Sequence, residues 1–83
     1  MKLRHSLLLK LGRKYEPSSV IGLRYKGMDL SIKTDEEGNA VVLFIGKVGP
    51  NGRIIGDRYT RILKIDHSGA VIKDHWDLKG KAT

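Results

Sequence analysis

A mainly β fold, a twisted antiparallel meander of about five strands, is what this sequence predicts. The first observation is a loop pattern met three times. Asp35-Glu36-Glu37-Gly38-Asn39, Gly49-Pro50-Asn51-Gly52-Arg53 and Asp66-His67-Ser68-Gly69-Ala70 each place glycine last in a three-residue polar loop between apolar runs. That is the pattern of a type I turn closed by a glycine at positive φ. The aspartates that open two of the loops can bond backbone amides, and Pro50 pre-sets φ in the middle one. The second observation is that the runs between the loops are rich in β-branched valine and isoleucine.

Residues 1–16 precede the sheet. Leu3, Leu7, Leu8 and Leu11 recur at the spacing of one helical face, with Gly12 as a stop signal. Leu7, Leu9 and Leu11 also alternate as a short strand would, so this segment is expected as either a helix or an extra strand, with its leucines packed on the sheet. A helix lying on a membrane surface would need a longer segment and aromatic anchors, which are missing here. Tyr15 to Ser19 is a connector, and residues 17–83 form the meander within a single domain.

Loop length fixes which residues oppose each other. The first turn is expected to pair Ile32 with Val42, Leu30 with Phe44 and Met28 with Gly46. The second sets Gly46 opposite Gly56, Phe44 opposite Arg58 and Ala40 opposite Ile62, and the third sets Ile62 opposite Asp74 and Thr60 opposite Trp76. One face then collects Met28, Leu30, Ile32, Ala40, Val42, Phe44, Ile62, Ile72, Trp76 and Leu78. The other holds Val41, Leu43, Ile45, Ile55, Tyr59, Leu63, Ile65 and Val71 among basic residues. Apolar side chains on both faces of Ala40 to Ile45 predict cover on both sides: the N-terminal leucines as a lid, and a sheet curled toward a partly open small barrel. Gly46 facing Gly56 marks the expected bend.

Sixteen Lys and Arg against nine Asp and Glu leave a formal charge of +7 on 83 residues. Such a field favours nucleic acid or an acidic protein as partner. There is no cysteine, which removes disulfides and thiolate metal sites and agrees with a reducing, cytoplasmic setting. No run reaches the ~20 apolar residues of a membrane-spanning helix. Leu7-Leu8-Leu9 is cut by Lys10 and is too short for a secretory core.

Catalytic patterns are thin. No serine has a base fixed near it, and in Asp66-His67 and Asp74-His75 adjacent strand residues point to opposite faces. His67, His75 and Asp77 lack the short paired spacing of zinc motifs, and neither GxxxxGK[ST] nor GxGxxG occurs. The expectation is a nonenzymatic binding module with no cofactor and no metal. Its basic and aromatic sheet face, Lys33, Arg58, Tyr59, Arg61, Lys73 and His75, is the candidate surface for weak single-stranded nucleic-acid binding. Tyr59 would stack on a base while the cations meet phosphate. The alternative is a protein-interaction or self-association module, a homo-oligomer included, that uses an apolar sheet face or a free edge.

Lys14-Tyr15-Glu16-Pro17, the run from Asp35 to Lys47 and the run from Lys73 to Thr83 resemble a group of short uncharacterised bacterial proteins. The resemblance covers nearly the whole chain and implies a free-standing bacterial protein. It transfers no site residue.

Overall fold

A computed structural model describes residues 3–82. One short helix, α1 (His5–Leu11), precedes five strands: β1 (Val20–Tyr25), β2 (Met28–Thr34), β3 (Ala40–Val48), β4 (Ile54–Ile65) and β5 (Val71–Ala82). They form a single antiparallel sheet in the order β1-β2-β3-β4-β5, each strand bonded to the next in sequence. The sheet is open. It does not close into a barrel: α1 covers one face alone, and the edges β1 and β5 do not pair.

The three loops fold as their composition dictates. In each, the N–H of the first residue donates to the carbonyl of the fifth, and the glycine N–H donates back to the first carbonyl. Gly38, Gly52 and Gly69 stand at φ +84°, +80° and +90°, values that L side chains rarely adopt. Asp35 and Asp66 serve their loops identically. One carboxylate oxygen of Asp35 accepts from the amides of Glu37 and Asn39, and one of Asp66 accepts from those of Ser68 and Ala70. A fourth hairpin, absent from the sequence reading, joins β1 to β2 through Lys26 and Gly27, both at positive φ, the signature of a two-residue type I′ turn.

The registers correct two of the three expectations. Next to the first turn Thr34 opposes Ala40, as the loop requires, but a bulge follows at once and leaves Val41 unpaired. Ile32 therefore faces Leu43 instead of Val42, Leu30 faces Ile45 instead of Phe44, and Gly46 faces Asp29 instead of Met28. The third hairpin does the same: Ile65 opposes Val71, then a bulge at Ile72 puts His75 opposite Ile62 and Asp77 opposite Thr60. The middle hairpin has no bulge, and Gly46 faces Gly56 and Phe44 faces Arg58 as expected.

A one-residue slip sends a strand's side chains to the opposite faces. The core thus unites residues that the loops alone had separated: Leu30 and Ile32 of β2, Leu43 and Ile45 of β3 and Tyr59 of β4, all under Leu7 and Leu11 of α1. Trp76 packs at its margin. Leu7 and Leu11 lie one helical turn apart and are buried, whereas Leu9 is exposed, which settles the N-terminal segment as a helix. A seven-residue helix is not stable by itself. Burial of its two leucines, each contributing about 1.5–3 kcal/mol, holds it on the sheet. Among the described residues, no helix is long and apolar enough to cross a membrane.

Candidate nucleic-acid interface

The six residues expected to form one surface divide between the two faces. Tyr59 is 2% exposed, beneath α1. Burial, and after it the nearby Asp57 carboxylate, pushes its hydroxyl above the ordinary tyrosine range. Arg61 lies on the same covered face. Its side chain is 7% exposed and grips Asp74 with two hydrogen bonds of 2.6 and 2.7 Å, while Nη1 donates to the Ala40 carbonyl. Its guanidinium also stands 5.7 Å from the Trp76 ring centre. Those hydrogen bonds hold the Asp74 carboxyl below its usual range. The slip in the third hairpin is the cause of this arrangement: it sets Arg61 opposite Trp76 rather than His75, and Tyr59 opposite Leu78 rather than Asp77.

Lys33, Arg58, Lys73 and His75 occupy the other face, which no element covers among the described residues. Strand alternation places Arg24 and Lys64 there as well. The first bulge brings Phe44 to the centre of this face. Its ring is half-buried, Lys33 Nζ stands 5.8 Å from the ring centre, and Arg58 lies directly opposite on β4. The sequence reading put Phe44 in the core, although the correctly read middle hairpin already set it opposite Arg58.

Ion pairs occur on both faces. On the covered face Arg61 pairs with Asp74 and Lys81 with Asp57. On the open face Asp29 lies 3.6 Å from Arg24, and His75 Nε2 stands 2.6 Å from an Asp77 carboxylate oxygen. Lys33, Arg58, Lys64 and Lys73 are exposed on the open face, while Arg4, Arg13 and Lys14 are exposed around the helix on the covered side. Toward β1 the face is concave. A trough of about 500 Å³ runs between Gly22, Arg24, Asp29 and Ser31 on one side and Val48, Gly52 and Ile54 on the other.

No protein-family model matches the chain, and no curated protein or solved structure matches it.

Proposed function

We propose that the open sheet face binds single-stranded nucleic acid, with Phe44 as the stacking platform and Lys33, Arg58, Lys64 and Lys73 as phosphate contacts. The observation that supports this reading is the central ring flanked by two cations on a bare, positively charged sheet. An exposed ammonium over an aromatic ring is worth about 0.5–1 kcal/mol. A base stacked on the same ring contributes about 1–3 kcal/mol. A base can therefore displace Lys33 at a net gain and leave its ammonium for the flanking phosphate. Tyr59 and Arg61 support the surface from beneath and do not touch the strand. The absence of cysteine agrees with a cytoplasmic setting for this activity.

The test is fluorescence anisotropy with a labelled oligothymidylate at several salt concentrations. Affinity should fall steeply with salt, and Lys33→Ala with Arg58→Ala should flatten the logarithmic slope by roughly one to two units. Phe44→Leu, which keeps an apolar side chain in place, should weaken binding about tenfold or more. Binding that is undetectable at low salt, or indifferent to all three substitutions, would reject the proposal.

A further inference from the structure

The outer edge of β5 has no neighbouring strand among the described residues. Bulges at Ile72 and Lys79 bracket a regular run from Lys73 to Leu78. Antiparallel bonding alternates along a strand. Counted from the bond that closes the middle turn, from Gly49 N–H to the Arg53 carbonyl, the backbone groups of Thr60, Ile62 and Lys64 point toward β5. Their partners Asp77, His75 and Lys73 are thus satisfied inside the sheet, while Asp74, Trp76 and Leu78 direct their N–H and carbonyl groups outward. Unpaired groups of this kind are a template for another strand.

From this edge we infer that the chain forms a twofold dimer through antiparallel pairing of β5 with β5 of a second copy, with His75 on the axis. Charge complementarity argues for a second copy as the occupant and, among axes on Asp74, His75, Trp76 or Asp77, for one register. A twofold axis normal to the sheet must pass through a residue, because opposed side chains share a face. Centred on Asp74 or Asp77, the pairing sets an aspartate against its own copy. Centred on Trp76, it sets Lys73 against Lys79. Centred on His75, it sets Lys73 against Asp77 twice and has no like-charge pair between the acidic and basic residues of Lys73 to Leu78. The same register puts Ile72, 65% exposed, opposite Leu78, 48% exposed. It also walls the groove of about 430 Å³ that Leu8, Trp76 and Leu78 line on the covered face. The two open faces join on one side of a continuous sheet. This inference stands apart from the nucleic-acid reading, and its test uses protein alone.

Sedimentation equilibrium on the full chain, without nucleic acid, decides it. The unmodified chain should dimerise, and Lys73→Asp or Asp77→Lys alone should each weaken the dimer about tenfold or more. The equimolar mixture of the two variants should restore a one-to-one heterodimer, because both of its cross-strand pairs between positions 73 and 77 then join an aspartate to a lysine. That recovery also shows that both variants fold. Lys73 opposes Lys64 within the chain, so Lys73→Asp removes a repulsion from the monomer. A chain that stays monomeric up to about 1 mM, a dimer untouched by the single substitutions, or a mixture that fails to recover would each overturn the inference.

Discussion

Gly46 and Gly56 face each other across β3 and β4 so closely that a β-carbon on either would stand 2.9 Å from the other's α-carbon, and nearer still to the carbonyl oxygen of Ile55 or Ile45. Backbone cannot yield there as a flexible side chain could. Gly46→Ala or Gly56→Ala should lower stability by about 1–3 kcal/mol, the usual cost of forcing atoms into a filled space. Urea unfolding should show it as a lower midpoint, with the larger loss in the double variant.

The helix depends on its two buried leucines. Leu11→Ala empties a fully buried position and should cost about 2–5 kcal/mol. Leu9→Ala, at a side chain 62% exposed, should be nearly silent. Thermal melts of both variants check the asymmetry, which a strand at residues 7–11 would not produce.

Arg61 and Asp74 tie β4 to β5 and to the Ala40 carbonyl. Arg61→Met keeps the stem over Trp76 but removes three hydrogen bonds, and should cost about 1–3 kcal/mol by urea unfolding. If Arg61 served only as a phosphate contact, stability would be unchanged and affinity alone would fall.

Acid should destabilise the protein through Asp35, Asp66 and Asp74. Burial pushes Asp35 up, but hydrogen bonds from Asn39 and Glu37 outweigh it and leave its carboxyl low. Ser68 and the Ala70 amide lower Asp66, and Arg61 lowers Asp74. A depressed folded value means that the unfolded chain takes up protons first. The stabilisation is therefore complete above the unfolded carboxyl range near 4 and is lost as pH falls through the lower folded values. Melting temperature should drop steeply below about pH 4, and Asp35→Asn with Asp66→Asn, which keeps the loop acceptors without the charge, should flatten that drop.

The turns were legible because their determinants are local. Asp35, Gly38, Asp66 and Gly69 act within five residues of sequence, and the structure repeats their hydrogen bonds in both loops. The bulges at Val41 and Ile72 were not legible. Either strand could pair without them, and what decides is tertiary: only after the slip do Leu43, Ile45 and Tyr59 join Leu30 and Ile32 beneath Leu7 and Leu11. The same slip buried Tyr59 and turned half-buried Phe44 to the open face, so the basic residues Lys33, Arg58, Lys73 and His75 share a face as the sequence suggested, while the aromatic at their centre is a different one. The hairpin at Lys26 and Gly27 is weakly marked in the sequence, because lysine is an uncommon residue at positive φ.

Amide-shift mapping on the isotopically labelled protein, titrated with a short oligothymidylate at low salt, tests the nucleic-acid face most directly. Shifts should concentrate on Lys33, Val42, Phe44, Arg58 and Lys64, fade as salt is raised, and leave α1 quiet. Shifts centred on α1 and the Trp76 groove, or no shifts at all, would contradict binding on the open face.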